Sequence, residues 1–191
     1  MSDPSPSEDA ELMQRVQRGD EAAFGALMER WELPVKSVIA RIVLNASEAE
    51  ELAQDTFVRV WQQREKFRAG AEFRPWVFAI AVNLARNRLR WWRRRPTVSL
   101  QEWSETAGEG RGARGEGLDG GEQAERAERA AAVRDAIAAL PQELREAIVL
   151  FEYEQMSQAE IATVVGATVK AVETRIYRAK EKLRAVLRSQ F

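Results

Sequence analysis

The sequence predicts an all-α chain in two small helical parts joined by a flexible segment, and three observations carry that prediction. Nearly every stretch of periodic hydrophobicity repeats at helical spacing, three and four residues, and not at the strand spacing of two. Residues 104–121 hold seven glycines among acids and offer little that could pack, a composition that makes a mobile linker. Near the C-terminus, "SQAEIATVVGATVKAVETRIYRAKEKL" (157–183) reads as a short helix, a turn at a glycine and a longer helix studded with cations. The expected organisation is a helical part at 8–97, a linker at 98–124 and a second helical part at 125–188.

The first apolar stripe starts at Leu12 and Val16 and continues after "RGD" through Phe24, Leu27, Met28 and Trp31. Pro34 suits the first turn of a helix, so a new helix is expected there, with Val35, Val38, Ile39, Ile42 and Val43 as its apolar face. Asn45-Ala46 closes it. Ser47 followed by Glu50 has capping-box spacing and opens a helix running through Leu52, Phe57, Val58 and Trp61. The stretch "FRAGAEF" (67–73) breaks the period and is expected as a loop. From Pro75 a long helix carries Trp76, Val77, Ile80, Ala81, Leu84 and Leu89 into "RWWRRRP", where Pro96 stops it. Beyond the linker, "AERAERAAAVRDAIAALP" is a helix ending near Pro141, and "QELREAIVLFEYE" is another. There is no internal repeat.

Composition narrows the chemistry. The 191 residues include no cysteine and no histidine, which excludes disulfides, thiol nucleophiles, Cys/His zinc sites and histidine general bases. The remaining candidates (carboxylates, Lys, Ser, Tyr) form no cluster with a catalytic spacing, so the expectation is a chain that catalyses nothing and needs neither cofactor nor metal. The polar, acidic start "MSDPSPSEDAEL" has no signal-peptide core. No run approaches the ~18 apolar residues of a membrane span, and the cytoplasm is the expected compartment.

Net charge is −1, yet the charges are segregated. Residues 1–60 hold twelve acids and six bases, whereas residues 68–95 hold eight arginines and one acid. Residues 99–128 are again acidic, with eight acids against three arginines, and residues 157–191 hold seven bases and three acids. Two basic blocks separated by an acidic spacer point to two nucleic-acid contacts on one chain, with ordinary solvated helix faces as the plain alternative.

The C-terminal basic block has the spacing of a helix-turn-helix. Ser157 and Glu160 can form a capping box. Ala162, Gly166 and Val172 supply a small residue at the helix approach, a glycine where the turn needs positive φ, and a core aliphatic on the second helix. Thr168 suits the N-cap of that helix. Ile161, Val164, Val165, Val169, Val172 and Ile176 are expected in the core. Lys170, Glu173, Thr174, Arg175, Tyr177 and Arg178 are then left for the major groove or its phosphates. A helical hairpin with a charged outer face is the alternative.

The other basic block, "FRAGAEFRPWVFAIAVNLARNRLRWWRRR" (67–95), mixes aromatics and arginines with two asparagines four apart. Aromatic faces stack on unpaired bases, asparagine amides bond base edges and arginines hold phosphates, a mixture suited to single-stranded or flipped-out nucleotides. Ile80 and Leu84 read as core, while Trp91 and Trp92 fit either packing or a phosphate backbone.

Taken in order, "SEAEELAQDTFVRVW", the aromatic loop, "WVFAIAVNLARNRLR", a linker, "AIAALPQELREAIVL" and the helix-turn-helix ending "TRIYRAKEKL" resemble the sigma-70 family of bacterial RNA polymerase specificity factors, in its small extracytoplasmic-function (ECF) branch. The resemblance covers nearly the whole chain. It implies that 8–97 captures and melts the −10 promoter element and that 125–188 binds the −35 element. It also implies that Glu51, Gln54 and Asp55, otherwise a solvated helix face, contact the clamp of core RNA polymerase. Phe67, Phe73, Trp76, Asn83 and Asn87 would form a pocket for an extruded −10 base, with Arg86 and Arg90 on the strand backbone. Control by an anti-sigma factor is implied as well, though no residue shows it directly. The run "KAVETR" departs from the family by placing Glu173 where a cation is common, which leaves the −35 sequence preference open. Two rival readings are a helix-turn-helix repressor with a helical sensor, which leaves the aromatic-arginine helix unexplained, and a metal-dependent nuclease, for which the acids at 48–55 lack a second matching cluster.

Overall fold

The computed structural model describes residues 6–95 and 120–188, and among these the secondary structure is entirely helical. The N-terminal part comprises α1 (Pro6–Gln17), α2 (Glu21–Val43), α3 (Ala46–Gln62), a 3-10 turn (Arg64–Lys66) and α4 (Phe73–Arg94). The C-terminal part comprises α5 (Gly120–Ala138), α6 (Gln142–Glu152), α7 (Gln158–Val165) and α8 (Val169–Leu187). The expected linker, as far as residue 119, and the stop at Pro96 lie outside the described residues. Its last residues are helical, because α5 starts at Gly120 and not at 125; the strong helix formers that follow propagate the helix back over two glycines.

Other boundaries differ from expectation too, and α4 begins at Phe73, inside the expected loop, and not at Pro75. Pro34 does not begin a helix; it lies inside the continuous α2. An interior proline costs about 3 kcal/mol, but Leu27, Trp31, Val35, Val38 and Ile42 on both sides of it form one uninterrupted buried stripe. Each such side chain contributes about 1.5–3 kcal/mol on burial, so keeping the two halves in register wins. Asn45, not Ser47, caps α3: its side chain accepts from the Glu48 backbone N–H at 2.9 Å. Glu50 is thereby released from capping and pairs with Lys36 of α2.

Helices α2, α3 and α4 pack pairwise, with α1 laid along α2 and α4. The buried Asp9 carboxylate ties α1 down by accepting from Trp31 Nε1 at 3.0 Å and from the Arg30 guanidinium. In the C-terminal part α8 packs on α5, α6 and α7. The two parts also touch, α2 against α6 and α4 against α7, so the apolar core is continuous across them. No helix of the described residues is long and apolar enough to cross a membrane.

Candidate nucleic-acid interface

The C-terminal face is built by local capping. Ser157 and Glu160 form the expected reciprocal box: Ser157 Oγ accepts from the Glu160 N–H at 3.2 Å, and the Glu160 carboxylate accepts from the Ser157 N–H at 2.7 Å. Gly166 ends α7 in the left-handed region at φ 66°, where a side chain is disfavoured, and the chain turns directly into α8. Thr168 caps α8 through the Ala171 N–H. Ile161, Val164, Val165, Val172 and Ile176 are buried as expected. Val169 is not: at the first turn of α8 it overhangs the core and is 47% exposed.

At about 100° per residue, Lys170, Glu173, Thr174, Tyr177 and Arg178 share the side of α8 opposite Val172, Ile176 and Ala179. Lys170, Glu173, Tyr177 and Arg178 are exposed and Thr174 half-buried. Glu173 Oε2 receives Lys170 Nζ at 2.9 Å, so one carboxylate tempers the field of that face. Arg175 is not brought to this stripe. It flanks the core on the other side and pairs with Glu143 of α6 at 2.9 Å.

The second face lies on α4, and the loop before it is pinned from α1: the Gln17 amide donates to the carbonyls of Arg64 (2.9 Å) and Phe67 (2.7 Å). Phe67 and Phe73 do not present their rings to solvent. They are buried at 4% and 1% exposure, where they form the floor beneath half-buried Trp76, with ring centroids 5.3 and 6.0 Å from it. Along α4, Trp76, Asn83, Asn87 and Arg90 fall on one stripe, the last three exposed. Arg94 extends the same stripe by one further turn and is exposed too; its i, i+4, i+7, i+11 spacing from Asn83 was the available signal. Arg86 sits at the edge of the stripe and is held by the C-terminal part. Trp92 packs against the core, whereas Trp91 is 43% exposed beneath the Arg95 guanidinium.

The third surface is the outward side of α3, where Glu51, Gln54 and Asp55 are all exposed. Val58, expected in the core, lies on this stripe at 52% exposure; it follows Gln54 by one helical turn, and an apolar side chain between polar ones is the kind that a partner covers. Arg88 of α4 grips both Glu48 and Glu51, the latter at 2.8 Å. One guanidinium thus serves both acids. A shallow groove of about 490 Å³ separates this surface from the α4 stripe, with Leu52, Asp55 and Arg59 on one wall and Leu84, Asn87, Arg88 and Trp91 on the other.

This architecture defines a helical, two-part nucleic-acid-binding chain with a helix-turn-helix in its second part. Family models place it further: residues 27–95 match "Sigma-70 region 2" and residues 130–183 match "Sigma-70, region 4". The chain is 36% identical over 181 residues to the RNA polymerase sigma-H factor of Pseudomonas aeruginosa, covering 92% of each. It is 33% identical over 177 residues to the ECF RNA polymerase sigma-E factor of Haemophilus influenzae, covering 92% of this chain and 93% of that one. Among solved structures it resembles CnrH in complex with the cytosolic domain of CnrY, at 30% identity and a TM-score of 0.71, over 96% of this chain and 99% of that one. The protein belongs to the ECF branch of the sigma-70 family of RNA polymerase sigma factors.

Proposed function

We propose that this chain joins core RNA polymerase through the α3 surface, carries it to promoters through two DNA contacts and assists strand opening, without catalysing a reaction. Residues 8–97 bind polymerase and the −10 strand, 98–124 link the parts, and 125–188 bind the −35 duplex. Asn83, Arg86, Asn87, Arg90 and Arg94 meet the −10 strand beside Trp76, with buried Phe67 and Phe73 holding the Trp76 ring in place. Lys170, Glu173, Thr174, Tyr177 and Arg178 enter the −35 groove. The observation that carries this reading is the pairing of two exposed polar stripes that carry cations, Asn83, Asn87, Arg90 and Arg94 on α4 and Lys170, Glu173, Tyr177 and Arg178 on α8, each backed by an apolar face.

Two stripes suit a molecule that must hold a duplex and a melted strand at once. Melting costs about 1–2 kcal/mol per base-pair step, and stacking of an unpaired base on an aromatic returns about 1–3 kcal/mol. The cytoplasm, where promoter DNA lies, is the compartment this role requires. A protein partner that withholds the factor from polymerase, an anti-sigma factor, fits the same surfaces; CnrH, which this chain resembles, is seen bound to a protein partner. In-vitro transcription from a promoter library with core polymerase is the test. The chain should select a subset sharing −35 and −10 elements, and transcription no greater than with core polymerase alone overturns the reading.

A further inference from the structure

The most buried charge at the joint between the two parts is Glu146 of α6, which is 1% exposed. A carboxylate so placed persists only when its charge is compensated. Its compensator comes from the other part: Arg86 Nε lies 3.1 Å from both carboxylate oxygens and Arg86 Nη2 lies 2.6 Å from Oε2. The remaining arm, Nη1, donates to the Val165 carbonyl at the end of α7 at 3.0 Å. Gln142 supports the carboxylate with a 2.8 Å hydrogen bond and itself accepts from Arg93.

A guanidinium binds a carboxylate and a phosphate through the same bidentate fork. Arg86 stands within one helical turn of Asn83 and Arg90 on the α4 stripe, so Glu146 occupies the place that a strand phosphate would take. Asn83, Asn87 and Arg90 remain exposed; the C-terminal part withholds a single cation from the strand. We propose that Glu146 is an internal phosphate mimic that latches the two parts together through Arg86, so that the free factor is closed and strand binding requires the latch to open. This inference rests on the reading of Arg86 as a strand contact.

The chain has no native cysteine, so Gln14→Cys and Lys182→Cys, both at exposed positions, admit a fluorescence-transfer pair reporting the separation of the parts. The probe is a random-sequence single-stranded DNA of about 20 nucleotides, longer than one such site. Saturating the otherwise wild-type chain with it should lower the transfer efficiency, a measurement that needs no change at the latch. Glu146→Gln should lower transfer without DNA and tighten binding of the oligonucleotide on the order of tenfold, the factor expected when a charged hydrogen-bonded competitor is removed. Arg86→Ala added to Glu146→Gln should erase that gain. Transfer unchanged both by saturating DNA and by a folded Glu146→Gln variant overturns the latch. If Glu146→Gln opens the chain and leaves DNA affinity unchanged, the latch stands and the strand-holding role of Arg86 falls.

Discussion

On α8, the exposed Lys170, Glu173, Tyr177 and Arg178 stand clear of the N-terminal part, whereas on α4 the cation Arg86 is taken up by the C-terminal part. Both stripes carry cations, but the surroundings treat them differently. The α8 face is finished by local devices, two caps and a left-handed glycine, all within twelve residues of sequence. The α4 face is completed by residues from elsewhere: Gln17 fixes its loop, Phe67 supports its tryptophan, and Glu146 contests its arginine. A duplex element presents a preformed groove and can be met by a preformed helix. A strand exists only after opening, and a face coupled to the arrangement of the whole chain can be linked to that event.

The largest effect is expected where neither the α4 nor the α8 stripe is touched. Asp55→Arg combined with Gln54→Ala should abolish retention on core polymerase in a pull-down, while binding to −35 duplex is preserved. Both side chains are exposed and carry no packing, so the fold should survive. Retention of the folded double variant at the wild-type level removes α3 as the docking surface. Within the α4 stripe, Asn83→Ala and Asn87→Ala should each cost about 1–3 kcal/mol of base contact. Permanganate reactivity at the −10 region should fall, and a pre-opened bubble template should restore part of the transcription. Equal losses on duplex and bubble templates would show that α4 does not act on the opened strand.

How much of this was legible in the sequence follows the same division. The capping box at Ser157, the turn at Gly166 and the Thr168 cap were readable because each is a contact within a few residues. Arg175 was misleading because its charge suggests an exposed face, but at five residues from Lys170 it falls about 140° away, beside the core, and its partner Glu143 lies on another helix. The burial of Phe67 and Phe73 and the exposure of Val58 were hidden for the same reason. Periodicity says that a residue lies near an apolar stripe, not whether a neighbouring helix reaches over it. Pro34 shows a local rule overridden, because the stripe on either side of it packs as one surface. The Arg86–Glu146 pair spans 60 positions, and nothing in local pattern could join them.

Smaller effects are expected on α8. Arg178→Ala should weaken binding to all −35 sequences alike and lower the salt slope by about 1, the signature of a phosphate contact. Arg175→Ala should leave DNA affinity unchanged and cost no more than about 1 kcal/mol of stability, because its partner Glu143 is largely exposed. At Glu173 two outcomes compete. If its carboxylate reads a cytosine amino group, Glu173→Gln should relax one −35 position by about 1–3 kcal/mol. If its pairing with Lys170 persists on DNA, the substitution should instead tighten binding to every sequence. Binding-site selection at matched salt separates these, and identical sequence logos exclude base reading.

The smallest effect concerns pH and sets the joint against the outer end of the N-terminal part. Burial raises the Glu154 carboxyl above its ordinary 4.5, with Arg74 and Arg41 opposing without cancelling that rise. A carboxyl with a raised pKa in the folded state contributes stability that is fully present below its unfolded value and is lost as pH rises through the folded value. At neutral pH the charged Glu154 is therefore a burden on the fold. Asp20, the N-cap of α2, is shifted the other way by the Ala23 N–H and the Arg15 guanidinium. Its contribution is present above 3.8 and is lost as pH falls through its lower folded value. Glu154→Gln should thus melt higher than wild type at pH 7, and the gap should close as pH falls through the raised folded value towards 4.5. Asp20→Ala should melt lower than wild type at pH 7, with its deficit shrinking only under stronger acid. Thermal melts across that range decide the matter: a Glu154→Gln variant less stable than wild type at pH 7 would mean that attraction to Arg74 and Arg41 outweighs burial at the joint.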